Sequence, residues 1–126
     1  MGRVIAGIGL RRGCGADAIL RAVDRASELA GRLPEALATP AFKAAEPGPA
    51  EAARRRGLEL IRVDLPALEH AQAACVTHSD AALRATGVAS VSEACALAAA
   101  GAGARLLVPR VTDGGATCAL AEAAGA

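Results

Sequence analysis

The chain has 126 residues, 53% of them hydrophobic and 21% charged, a formal net charge of +1, and Phe42 as its one aromatic residue. That is the composition of one globular domain, able to bury roughly two-thirds of its unfolded surface without metal or disulfide staples. With neither surplus positive charge nor aromatic platforms it excludes a nucleic-acid partner, and with no apolar run of bilayer length it excludes a membrane span.

Arg3-Val4-Ile5-Ala6-Gly7-Ile8 reads as a short apolar strand running into a glycine-rich turn. From about Asp17 to Ala30, Ile19, Val23, Ala26 and Ala30 share one stripe and Arg21, Asp24, Arg25 and Glu28 lie off it, which predicts an amphipathic helix stopped by Gly31. Glu35 to Thr39 is a weaker strand, closed by Pro40. Pro47 and Pro49 open a short helix from Ala50 to Arg56, ended by Gly57. Leu58 to Val63 alternates and then turns apolar, the pattern expected of a central strand. Asp64 caps a helix from Leu65 to Ala74, and residues 75–87 read as a loop. Ser90-Val91-Ser92-Glu93 has the form of a capping box, serine at the N-cap and glutamate three residues on, opening a helix through Ala100 that Gly101 and Gly103 end. Arg105 to Val108 is a strand, Asp113-Gly114-Gly115 a turn, and Ala116 to Leu120 its hairpin partner.

Strands alternating with helices predict a single α/β domain over residues 1–126: a three-layer α/β/α sandwich on a mainly parallel five-stranded sheet with an antiparallel edge hairpin. No linker, repeat or second domain interrupts it. The N-terminus opens directly into a strand without the features of a signal peptide, so the localisation reads as cytoplasmic. Cys14, Cys75, Cys95 and Cys118 are far apart with no C-x-x-C pair, which fits small buried side chains rather than a metal site or redox dithiol.

The segment richest in chemistry is Gly7-Ile8-Gly9-Leu10-Arg11-Arg12-Gly13-Cys14-Gly15. A glycine turn before a helix offers backbone N–H groups, a positive dipole end and two arginines, together an anion-binding arrangement. The bland alternative is a tight turn with two solvated arginines. A dinucleotide fingerprint fails because its last glycine position is Arg12 and Thr39-Pro40 stand where the acidic ribose ligand belongs. His70 and His78 read as surface or loop histidines. Lys43 and Glu46 are spaced for a local ion pair, and Glu93 has a structural task in the capping box.

In series, these segments resemble the CobE/CbiG C-terminal family of cobalamin biosynthesis. Gly7 to Gly13 is similar to its opening G-x-G-x-R-x-G. Ala38 to Glu46 is similar to its second motif, with Thr39, Lys43 and Glu46 in place. Ser79 and Thr86-Gly87-Val88-Ala89-Ser90-Val91-Ser92-Glu93 resemble its third, and Leu106 to Pro109 and Ala116 to Ala121, with Thr117, its closing strands. Arg110 stands where the family more often has lysine. The resemblance implies a part in making the corrin ring, without a cofactor or metal of the protein's own. Gly7, Gly9, Arg11, Arg12, Gly13, Thr39, Lys43, Glu46, Ser79, Thr86, Gly87, Ser90, Glu93 and Thr117 would face a precorrin or hydrogenobyrinic-acid intermediate. Two alternatives stay open. One is an enzyme opening a precorrin lactone as the cobalt-precorrin-5A hydrolase does, with Glu46 or Glu93 as acid/base; the other is a scaffold docking onto another enzyme of the pathway.

Overall fold

The computed structural model describes residues 2–11, 13–43, 46–78, 80, 83–84 and 90–125. In chain order these form β1 (Val4–Leu10), α1 (Ala16–Ala30), β2 (Ala36–Pro40), α2 (Pro47–Arg56), β3 (Glu59–Val63), α3 (Leu65–Ala71), α4 (Val91–Ala100), β4 (Arg105–Asp113) and β5 (Ala116–Glu122). Single 3-10 turns cover Ala41–Lys43 and Gln72–Ala74.

The five strands make one mixed sheet in the order β3-β2-β1-β5-β4. β1, β2 and β3 pair in parallel, whereas β5 is antiparallel to both β1 and β4. The closing hairpin forms as expected and adds an antiparallel edge to the sheet. β5 pairs with β1 from Val4↔Glu122 to Leu10↔Ala116, and β4 takes the edge. Side chains explain the placement. β5 is small and apolar on both faces and almost wholly buried, while β4 carries Arg105, Pro109 and Thr112 exposed. Pro109, which lacks an N–H, is tolerated on an edge strand.

β3, which the alternation suggests is central, lies at the opposite edge. Glu59 and Arg62 there are exposed. Alternation marks a strand with one solvated side, and lateral order is decided by partners far away in the chain.

The period of two divides the core. Val4, Ala6, Ile8 and Leu37 join Cys118, Leu120 and Val108 against Ile19, Val23 and Ala26 of α1 and Ala52 and Ala53 of α2. Ile5, Ala36, Ala38 and Val63 form another cluster with Leu68 of α3 and Ala94 and Cys95 of α4. Each fully buried Ile or Leu contributes about 1.5–3 kcal/mol by leaving water. Small residues let the layers approach closely, most of all where α4 crosses β1. A Cβ on Gly7 would stand 2.0 Å from the Ser92 carbonyl oxygen and 2.4 Å from the Ala96 nitrogen. One on Gly9 would stand 2.5 Å from Thr117 Oγ1. Gly9, expected in the turn, thus lies within the strand beside Gly7; the missing side chain of Gly7 makes room for the helix and that of Gly9 for Thr117.

Local signals place several ends. Asp64 caps α3 by accepting the Ala67 N–H at 2.9 Å, and left-handed Gly31 and Gly57 close α1 and α2. Asp113 faces Ala116 across a two-residue turn in which Gly114 and Gly115 have φ of 56° and 91°, the primed geometry that hairpin twist requires. α2 starts at Pro47, three residues before its alanine run, with proline in the first turn. Cys95 and Cys118 are buried, Cys14 and Cys75 half-buried, and all four are free thiols. No described helix is long and apolar enough to cross a membrane.

Candidate functional site

Past the carboxyl ends of β1 and β2 two connections lead to the amino ends of α1 and α2, one holding Arg11 and Gly13 to Gly15, the other the 3-10 turn Ala41–Lys43 and Glu46. In α/β sheets this end collects helix N-termini and is where ligands bind. The loops are joined. The Gly13 N–H donates to Glu46 Oε1 at 2.6 Å, and Gly13 reaches it with φ of 79°, a conformation glycine adopts without strain. α2 seals the junction from beside it, since a Cβ on Gly48 would stand 2.5 Å from the Cys14 carbonyl oxygen. The Arg11 N–H donates to the Gly115 carbonyl at 3.2 Å and the Cys14 N–H to the Arg11 carbonyl at 3.1 Å, which hangs the loop on the β4–β5 turn.

Exposed Arg11 and half-buried Lys43 lie on these two loops, and neither makes an ion pair among the described residues. The Glu46 carboxylate is bonded to Gly13 and not to the Lys43 ammonium, while the Glu46 backbone N–H donates to the Lys43 carbonyl at 3.0 Å. By contrast Arg56 grips Asp24 at 2.7 and 2.9 Å, and Arg3 meets Glu59 at 3.1 Å. Positive charge is thus left uncommitted where two helix N-termini converge.

α4 adds a third amino end beside β1. Its first turn crosses at Gly7 and Gly9, and Thr117 Oγ1 on the neighbouring strand donates to the Gly9 carbonyl at 3.3 Å. The expected capping box does not close. Ser90 occupies the N-cap but its hydroxyl makes no capping bond, and Glu93 turns away from the helix end. Glu93 Oε1 accepts the N–H groups of Val76 and Thr77 at 2.8 and 2.9 Å. Oε2 accepts the Arg110 N–H at 2.9 Å together with the Thr77 hydroxyl.

The Arg110 donor is available because β4 is irregular there. Register shifts flank Val108, between Leu106 and Val111, and a bulge leaves a residue outside the ladder. One fully buried carboxylate therefore ties the segment after α3, helix α4 and strand β4 together. Burial alone would raise its pKa. The Thr77 hydroxyl and the Thr77, Arg110 and Val76 N–H groups outweigh that and hold it below the usual carboxylate range. A proton-transfer group at neutral pH needs the opposite shift. Burial of Cys75, and then the nearby Glu93 charge, push its thiol up to about 11.

Among the described residues, Thr39 Oγ1, Ser90 Oγ and Ser92 Oγ are buried without a hydrogen-bond partner. Gly7 shapes the helix crossing and Gly9 makes room for Thr117, Gly13 and Glu46 clasp the two loops, and Arg11, Lys43, Thr39, Ser90 and Thr117 lie around the same end of the sheet. Arg12, Ser79, Thr86 and Gly87 lie outside the described residues. Sequence reasoning passed over Thr77 and Ser92. Thr77 carries no local signal, because its partner is sixteen residues on; Ser92, a second serine in a helix's first turn, could have been flagged.

His70 is exposed on α3, and His78 faces Asp80 at 3.7 Å in an exposed pair. No group of three His, Cys, Asp or Glu among the described residues is placed to hold a metal ion.

Residues 4–121 match the family described as "Cobalamin synthesis G C-terminus". The crystal structure of CobE, a protein from the cobalamin (vitamin B12) biosynthetic pathway, is similar at 35% identity and a TM-score of 0.90, over 98% of this chain and 92% of that one. The cobalamin biosynthesis protein chiG from Agrobacterium tumefaciens is similar at 47% identity and a TM-score of 0.79, over 97% of this chain and 99% of that one. No functionally curated protein sequence matches. The chain belongs to the CobE/CbiG C-terminal family of cobalamin biosynthesis.

Proposed function

We propose that this member of the cobalamin synthesis G C-terminal family binds a precorrin or hydrogenobyrinic-acid intermediate across the carboxyl ends of β1 and β2. The observation that carries the reading is the clasp between Gly13 and Glu46. It joins two loops bearing the uncommitted cations Arg11 and Lys43 at the amino ends of α1 and α2. Corrin precursors present several acetate and propionate carboxylates around one rim. Such a ligand suits a local positive face on a protein of net charge +1. The helices packed on both core clusters are read as the outer layers of an α/β/α sandwich that keeps this end rigid.

The binding role is favoured over lactone opening by the state of Glu93, whose oxygens already accept four donors and whose carboxyl is held ionised. A hydrolase would have to work through Glu46, which is engaged with Gly13.

The test is titration of the protein with hydrogenobyrinic acid, followed in the visible spectrum and by calorimetry. Saturable binding at micromolar or tighter Kd is expected. Arg11→Ala and Lys43→Ala should each weaken it about tenfold, the effect of one charge-assisted contact. Undiminished binding by both variants would overturn the assignment of this face. Release of acetaldehyde from a lactone-bearing precorrin would replace the carrier with an enzyme. Co-purification with a pathway enzyme and no corrinoid affinity would replace it with a scaffold.

A further inference from the structure

α4 begins with both residues of a capping box, yet its amino end is left open. The N–H groups of Val91, Ser92 and Glu93 have no acceptor within the helix, as in the first turn of any α-helix. The serine that would cap one of them, and the glutamate that would reach back to the N-cap N–H, are both withheld. Ser90 Oγ makes no capping bond, and Glu93 spends both carboxylate oxygens on Val76, Thr77 and Arg110. Two serine hydroxyls at this helix end, Ser90 Oγ and Ser92 Oγ, are buried at 0% exposure and have no partner. A buried polar atom without a partner is rare enough to require a reason.

The surroundings add to the case. The backbone nitrogen of Ser92 would lie 3.6 Å from a Cβ on Gly9, in van der Waals contact, so the helix end rests against the carboxyl end of β1, next to Thr117. N–H groups, hydroxyls that can donate and the positive end of a ten-residue helix all offer the same thing to a ligand.

We infer that the first turn of α4, with Ser90 and Ser92, is a seat for a single carboxylate. Resting on the reading that this face binds a corrinoid, it takes one acetate-type side chain of the macrocycle while Arg11 and Lys43 meet others. Charge, not hydrogen-bond polarity, selects carboxylate over carboxamide. An amide carbonyl can accept from the same N–H groups, but only an anion gains from the positive helix end and from charge-assisted bonds. Affinity at this seat therefore reads the amidation state of the side chain it holds.

Two experiments on the full chain separate the seat from the wider reading. Acetate and inorganic phosphate are titrated while the amide resonances of Val91, Ser92 and Glu93 are followed. Saturable shifts are expected in the parent and are lost in a Ser90→Ala, Ser92→Ala double variant. Hydrogenobyrinic acid is then titrated into both proteins. The double variant should bind about tenfold or more weakly, at an unchanged or higher melting temperature, because hydroxyls without partners hold nothing together. Equal affinity for hydrogenobyrinic acid in parent and variant overturns the seat and leaves the corrinoid reading standing. A lowered melting temperature with no change in anion response also overturns it, by making the serines structural. Anion shifts without any hydrogenobyrinic acid binding in the parent support the seat and remove the corrinoid reading.

Discussion

Replacing Glu93 isolates the tie that holds the rim of the site. Glu93→Ala leaves the N–H groups of Val76, Thr77 and Arg110 and the Thr77 hydroxyl without their acceptor. Counting about 1–1.5 kcal/mol for each of the four, at the low end because these donors are only partly buried, gives a loss of about 4–6 kcal/mol. Against the 5–15 kcal/mol or so that holds a domain of this kind together, that variant is marginal. Glu93→Gln is the sharper probe. Its carbonyl oxygen still serves Val76 and Thr77, but its NH2 confronts the Arg110 N–H, donor against donor. A loss of about 1.5–3 kcal/mol is expected from that conflict.

The pH dependence has a defined sign. The folded carboxyl titrates below its unfolded value, so its contribution is full above the ordinary carboxylate range and drains as pH falls through the lower folded value. The gap between parent and Glu93→Gln should narrow on acidification. Urea unfolding at several pH values measures the gap, and hydrogen exchange at the Arg110 amide locates it. A Gln variant as stable as the parent at neutral pH, with Arg110 exchange unchanged, would refute the reasoning.

Other outcomes follow from the same geometry. Gly7→Ala drives a methyl into the Ser92 carbonyl and the Ala96 nitrogen. It should cost at least about 3 kcal/mol in a denaturant titration, the upper end for overpacking, because backbone rather than a mobile side chain must yield. Gly13→Ala should cost about 1 kcal/mol from its left-handed φ and weaken hydrogenobyrinic acid binding, since the Glu46 clasp shifts with it. Cys75 should resist iodoacetamide near neutral pH with its pKa at about 11, and Glu93→Gln should quicken the reaction by removing the neighbouring charge. Glu122 accepts from Arg32 and Arg105, and those two hydrogen bonds, in that order, hold its carboxyl below the usual range. Glu122→Gln should therefore flatten the acid limb of the stability curve, measured as urea midpoint against pH.

What could be read from the sequence was local. The stripe of Ile19, Val23 and Ala26, the Asp64 cap and the Gly114-Gly115 turn are each decided within a few residues, and each forms where the pattern places it. The errors lie where distant segments compete with local rules. Ser90 and Glu93 spell a capping box, but donors from residues 76, 77 and 110 draw the glutamate away. Gly9 looks like the start of a turn until Thr117, more than a hundred residues later, packs against it in the sheet. Lateral order in the sheet escaped for the same reason, since Glu59 and Arg62 betray an edge only once the inner positions are filled. At the site, the cations were legible as residue types. The Gly13–Glu46 clasp, spanning 33 residues, was not.

The pairing of the first strand with the last has a mechanical consequence. Val4 lies opposite Glu122, and the Ala123 N–H donates to the Arg3 carbonyl at 2.8 Å, so both ends of the chain leave the sheet at one corner. A pull applied between them acts on the antiparallel β1–β5 ladder from a single end, opening its hydrogen bonds in succession instead of loading them together. Tension would unzip this protein at low force, starting at Glu122 and arriving last at the loops around Arg11.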